Sequence, residues 1–292
     1  MAGRSPTTRG YLYILASGAL WGTTGIFARF LYQADIHSHQ IAFLRNLLAL
    51  AVFSILLLLG RRSAFRVELR YLPLLAAVGL TNVTAFSLFY FYTIEKSTIT
   101  QAVFLMYIGP VFAVIMGRLF LGEALVGAKL AALALSIGGL MLLTGMYNPM
   151  QLSMPREAVL AGFASAITYG FARTTGKLAL RRCSHWSTVF YSFAFGVLFL
   201  FILTKPQNFF LSVSGSSWLL IGIMALVPGV GAYLCFFKGL QLVESSRASI
   251  LGTLEPVVAA ALALAVFGEV LSPLGIGGAA LILLGAVLVQ RK

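Results

Sequence analysis

The chain is a succession of apolar runs of about 20 residues, separated by polar breaks too short to hold a soluble domain. A helix of that length crosses the roughly 30 Å hydrocarbon core of a bilayer at about 1.5 Å per residue. In lipid each backbone amide must find its partner inside the chain, so continuous apolar runs of this length resolve into helices. Composition agrees, with 60% of the 292 residues hydrophobic and 10% charged, against roughly a quarter charged in soluble domains. The net charge of +13 would suit nucleic acid if the basic side chains formed one exposed stripe. They sit instead in short clusters between apolar runs, which points to orientation in a membrane and not to a nucleic-acid partner.

Reading the runs against their breaks predicts ten spans, near residues 11–30, 39–59, 72–92, 98–120 and 128–144, and near 158–178, 186–204, 218–240, 248–267 and 271–289. A polar hinge at 145–157, with Asn148, Pro149, Ser153 and Pro155, separates the two sets. Arg4 and Arg9 ahead of small residues at 16–19 imitate a signal peptide, but the run continues to Phe30, which predicts an uncleaved first span. Most of the 21 Lys and Arg fall on one side of this topology, among them Arg4, Arg9, Arg61, Arg62, Arg66, Arg70, Arg118, Lys129, Lys177, Arg181, Arg182, Arg291 and Lys292. The other side holds Arg29, Lys96, Arg156 and Lys205. That bias predicts both termini on the cytoplasmic side of the cytoplasmic membrane.

The halves repeat. Pro110 corresponds to Pro256, and Gly122-Glu123 to Gly268-Glu269, at one constant separation; Trp21-Gly22 corresponds to Tyr169-Gly170 and His37 to His185 at nearly the same one. Five spans is an odd number, so the second copy must be upside down relative to the first. The fold expected is an all-α integral membrane protein of ten transmembrane helices, built as two inverted five-helix repeats at 1–147 and 156–292.

Leu20-Trp21-Gly22-Thr23, Leu44-Arg45-Asn46, Pro110 with Gly122-Glu123, and Glu255-Pro256-Val257 with Gly268-Glu269 give the chain a resemblance to the drug/metabolite transporter superfamily, in its EamA-type ten-span branch. Within that branch it is similar to bacterial exporters of aromatic and other amino acids, of the YddG kind. The resemblance implies alternating-access export of a small molecule, with Tyr107 and Tyr169 among the lining residues of a central cavity.

Mid-span residues supply the candidate site. Trp21, Asn82, Phe86, Tyr90, Tyr107, Tyr169 and Tyr233 are aromatic or amide side chains away from the predicted interfaces, suited either to packing or to binding a planar or apolar solute. Pro110, Pro228 and Pro256 each remove a backbone hydrogen bond in mid-span; they are kinks or, in matching positions of the two repeats, gates. Glu255 lies well inside a span, where an unpaired carboxylate costs several kcal/mol. Three roles are open to it: a structural charge pair with Arg173 at similar depth, a receptor for a substrate ammonium, or a carrier of a coupling proton. Arg45, in the second span, suits either a substrate carboxylate or helix-end carbonyls.

Gly18 and Gly22, and the series Ala128, Ala132 and Ser136, predict close helix packing, with a dimer face as the alternative. Asp35, His37 and His39 share no strong metal-binding spacing, and no metal or cofactor is expected. The chain carries no P-loop, nucleophile elbow or zinc-protease motif, so neither an enzyme nor an ATP-driven pump is expected. The partners expected are a small-molecule substrate of the amino acid class and membrane lipid.

Overall fold

The structure, a computed structural model, describes residues 6–210 and 213–290, so Arg4, Arg291 and Lys292 lie outside the described residues. All regular structure among the described residues is helical. The segments are α1 (Pro6–Gln33), α2 (Ser38–Gly60), α3 (Leu69–Lys96), α4 (Ile99–Leu121), α5 (Gly127–Leu143), α6 (Arg156–Leu180), α7 (His185–Thr204), α8 (Gly215–Leu242), α9 (Ser245–Phe267) and α10 (Pro273–Leu288). Seven of these described helices, α1 to α4 and α7 to α9, are long and apolar enough to cross a membrane, and α5 and α10 are shorter apolar helices. The 25-residue α6 is more polar because Arg173 and Lys177 lie among its small and hydroxyl residues. Large apolar side chains such as Leu59, Leu119 and Leu219 project outward, as a chain solvated by lipid requires.

Five helices are irregular. The α1 segment breaks at Gly22-Thr23, where the Thr23 hydroxyl donates to Leu20 O at 2.7 Å. Breaks also occur at Tyr107-Ile108 in α4 and at Thr253 in α9, each three residues before the proline expected to mark it. Pro110 and Pro256 instead lie in the first turn of the second half-helices, Gly109–Leu121 and Leu254–Phe267, where a missing N–H costs least. Pro228 lies inside a π-helical turn, Ala225–Gly231, and α3 carries another such turn at Gly79–Ala85 without a proline.

The separation that relates Pro110 to Pro256 also relates the two π turns and the breaks at Tyr107 and Thr253. It further relates Gly122 (φ 71°) to Gly268 (φ 68°), the left-handed residues that end α4 and α9. A side chain would be strained at either glycine.

Small residues bring the helices together. A Cβ on Gly278 would lie 2.4 Å from Gly139 O, so the backbones of α5 and α10 touch, and Gly285 sits against Ser136 and Ala132. Ala132 and Ser136 of the series read in the fifth span are therefore spent inside the chain. Gly22 packs on Val258 of α9, and Gly170 of α6 packs on Phe112 of α4; the glycines and their partners are matching residues of the two halves. The Arg247 guanidinium donates to the Tyr11 hydroxyl (3.3 Å) and to Val289 O (2.8 Å), so both ends of the described chain meet on one face of the bundle, called here the terminal face.

Candidate functional site

The helix interruptions converge on one buried cavity in mid-bundle. It is lined by Trp21 and Thr24 of α1, Arg45 of α2, Asn82, Phe86, Tyr90 and Phe91 of α3, Met106 of α4, Tyr169 and Arg173 of α6, Tyr233 of α8 and Glu255 of α9. Seven of the eight substrate-site residues read from the sequence line it, and the eighth, Tyr107, borders it through Glu255. Thr24, Phe91 and Met106 join them. Thr24 directly follows the Leu20-Trp21-Gly22-Thr23 motif, a signal present in the sequence; Phe91 and Met106 gave none beyond apolarity.

The walls are aromatic. Phe86 stacks on Tyr90 (5.6 Å between centroids), Trp21 meets Tyr233 edge-on (5.5 Å), and Tyr107 and Tyr169 lie 6.2 Å apart. The Arg173 guanidinium is held over the rings of Tyr169 (4.0 Å), Phe236 (4.1 Å) and Trp21 (5.1 Å), an arrangement that stabilises a cation shielded from water. This corrects the expected charge pair. Arg173 and Glu255 line the same cavity, but no ion-pair contact joins them among the described residues, because the aromatic cage occupies the guanidinium and Tyr107 occupies the carboxylate. Among the described contacts Arg45 donates to no helix-end carbonyl; its guanidinium lies 5.4 Å over the Phe91 ring.

Tyr107 explains how the broken α9 is tolerated. Pro256 has no N–H to give to Gly252 O, four residues earlier, and the Tyr107 hydroxyl lies 3.0 Å from that oxygen and 2.6 Å from Glu255 Oε2. One hydroxyl hydrogen serves one acceptor at a time, so its direction is tied to the protonation of Glu255. Tyr169 donates to Ser249 O (3.4 Å) and Tyr233 to Asn82 O (3.2 Å) in the π turn of α3.

Three buried donors on the cavity wall have no hydrogen-bond partner among the described residues: Arg45 Nε, Arg173 Nε and Asn82 Nδ2. Leaving such donors unmet costs about 1–3 kcal/mol each, more for charged ones. The space now open is about 30 Å³, room for a water molecule and not for an organic solute. Beyond it, on the face opposite the termini, a vestibule of about 950 Å³ opens, walled by Gly25 and Arg29 of α1, Val103 of α4 and Pro256, Ala259 and Ala263 of α9. It ends within one helical turn of the cavity, since Thr24, Met106 and Glu255 adjoin these residues in the chain.

A membrane-embedded bundle with a closed polar-aromatic chamber beneath a vestibule defines the class of small-molecule transporters. Residues 8–145 and 156–291 each match the EamA-like transporter family, and the chain belongs to that family. Among relatives, it is 28% identical over 273 residues to the uncharacterized inner membrane transporter YicL of Salmonella typhimurium, covering 90% of this chain and 88% of that one. It is 25% identical over 296 residues to the riboflavin transporter ImpX of Fusobacterium nucleatum (97% and 98%), and 26% identical over 248 residues to a probable terminal-alkyne amino-acid exporter of Streptantibioticus cattleyicolor (84% and 82%). A solved crystal structure superposes with a TM-score of 0.78 over 96% of both chains at 19% identity, a likeness of fold.

Proposed function

We propose that this transporter exports amino acids, aromatic ones included, across the cytoplasmic membrane by alternating access. The reading takes it as ten spans in two inverted repeats, 1–147 and 156–292, with both termini cytoplasmic. The matched breaks, π turns and glycine contacts of the two halves support the repeat. The observation that carries the substrate class is the set of unmet donors Arg45 Nε, Arg173 Nε and Asn82 Nδ2 facing a carboxylate, Glu255, between aromatic walls. Two guanidiniums and an amide complement a carboxylate, Glu255 complements an ammonium, and Trp21, Phe86, Tyr90 and Tyr169 complement a planar side chain. Such a site binds transiently and performs no chemistry.

The second reading is a carrier of other metabolites or drugs, favoured by the same aromatic walls and by the riboflavin-transporting relative, whose name describes a flat heteroaromatic cargo. A channel or a static scaffold fits poorly with a chamber of about 30 Å³ under a vestibule of about 950 Å³. Counterflow into proteoliposomes preloaded with unlabelled solute separates the readings, using labelled Phe, Trp, Thr, Met, Lys and a cationic drug. Saturable exchange of the aromatic and neutral amino acids is the expected result. Movement of the drug without any amino acid would transfer the assignment to the second reading, conductance would indicate a channel, and the absence of all flux a scaffold.

A further inference from the structure

The terminal face is sealed by one contact that crosses between the halves and one made within the second half. The Glu123 carboxylate, just past the end of α4, accepts from the first-turn amides of α9, Ser245 N (2.6 Å) and Ser246 N (3.0 Å), and from the Ser246 hydroxyl. A buried carboxylate on helix N-terminal amides is charge-assisted and aligned with the helix dipole. Beside it, Lys177 Nζ of α6 donates to two carbonyls at the end of α8, Leu240 O (2.6 Å) and Val243 O (2.6 Å). One anion on helix-start amides and one cation on helix-end carbonyls close this end.

The vestibule end carries the matching parts, exchanged between the halves, in an unlatched arrangement. The separation that joins Pro110 to Pro256 joins Glu123 to Glu269, Ser245 and Ser246 to Ile99 and Thr100, and Leu240 and Val243 to Ile94 and Ser97. The separation that joins Trp21 to Tyr169 joins Arg29 to Lys177. Here Glu269 and Arg29 pair with each other at 2.6 Å, with their side chains 54% and 41% exposed. Ile94, Ser97, Ile99 and Thr100 stand apart from them along the wall of the open vestibule. Among the described contacts the first-turn amides of Ile99 and Thr100 make no hydrogen bond, whereas those of Ser245 and Ser246 are taken by Glu123.

We infer that Glu123 with Lys177, and Glu269 with Arg29, are two alternating latches, and that the structure holds the first shut and the second open. When the vestibule closes, Glu269 leaves Arg29 for the amides of Ile99 and Thr100, Arg29 turns to the carbonyls of Ile94 and Ser97, and the Glu123 and Lys177 contacts separate. An exposed ion pair contributes little, while the buried contacts of a closed latch contribute much more. Removing either carboxylate therefore weakens the state in which it is engaged. The inference rests on the alternating-access reading and is independent of the cargo.

Two reporters at matching positions test it, Val103→Cys in the vestibule wall and Ser249→Cys in its buried counterpart, each placed singly in a chain whose Cys183 and Cys235 are replaced by Ser. Maleimide labelling of the purified protein without substrate reads which end is open, so a failure to move amino acids would leave this test intact. Glu123→Gln is expected to raise labelling at position 249 roughly tenfold, the worth of about 1.4 kcal/mol, and to lower it at 103. Glu269→Gln is expected to do the reverse. Shifts in the same direction, or none, would overturn the latch pair. Should Glu123→Gln not fold, a Thr100→Cys, Glu269→Cys pair decides: disulfide formation that protects Val103→Cys from maleimide until reduction supports closure through this contact, and failure to cross-link refutes it.

Discussion

Tyr107, Tyr169 and Tyr233 stand where the sequence placed candidate lining residues, yet each hydroxyl also meets a carbonyl at or near a helix interruption, Gly252, Ser249 and Asn82. Tyr107→Phe leaves Gly252 O buried without a donor, and is expected to lower unfolding stability by about 1–3 kcal/mol in a thermal melt in detergent. Tyr169→Phe, with its longer contact, is expected to lose less. Glu255→Gln keeps a donor for the Tyr107 oxygen and should fold with near-normal stability, while its exchange of zwitterionic amino acids falls. Arg45→Ala or Arg173→Ala should raise the KM for a carboxylate-bearing substrate by tenfold or more, and the Lys replacement should restore little at Arg173, whose planar guanidinium fits among three aromatic rings. An unchanged KM in either alanine variant removes that residue from the site. Trp21→Ala, which opens the ring contacts to Tyr233 and Phe236, is expected to reduce transport in a folded protein.

At the scale of helices, the tightest joint is the contact of α5 with α10. Gly278→Val would drive a side chain into Gly139 O and Leu143 N, backbone atoms that cannot turn aside, so the variant is expected to fail to accumulate as a monodisperse species. Glu244, in the link between α8 and α9, adds a pH-sensitive element to the terminal face. Burial alone would push its carboxyl upward, but hydrogen bonds from Lys129 and Arg247 hold it below the usual carboxylate range. A carboxyl depressed in the folded state stabilises above its unfolded value, near 4.3, and that contribution is lost as pH falls through the folded value. Glu244→Gln should therefore flatten the acid limb of a stability profile. The helices themselves were legible because apolar length is written in consecutive residues. Pro110 and Pro256 located two breaks to within three residues, but the Gly22-Thr23 break and the π turn at Gly79–Ala85 leave no mark in hydropathy. The depth of Trp21, Asn82, Phe86, Tyr90, Tyr107, Tyr169, Tyr233 and Glu255 foretold their gathering. What each one touches, including the aromatic cage that keeps Arg173 from Glu255, depends on helix rotation, which sequence spacing does not encode.

For the whole molecule, a closed terminal face, a cavity of about 30 Å³ and a vestibule of about 950 Å³ fit one end of the proposed alternating-access cycle. On the proposed reading, the walls move before a solute lodges among Arg45, Arg173 and Asn82. The central claim is that these donors hold a carboxylate, which makes the charge of the solute more decisive than its ring. Competition by phenethylamine, which is phenylalanine without its carboxylate, against counterflow of labelled phenylalanine in proteoliposomes tests this most directly. The account predicts that unlabelled phenylalanine competes and phenethylamine at the same concentration leaves the flux unchanged. Equal competition by the two would contradict it.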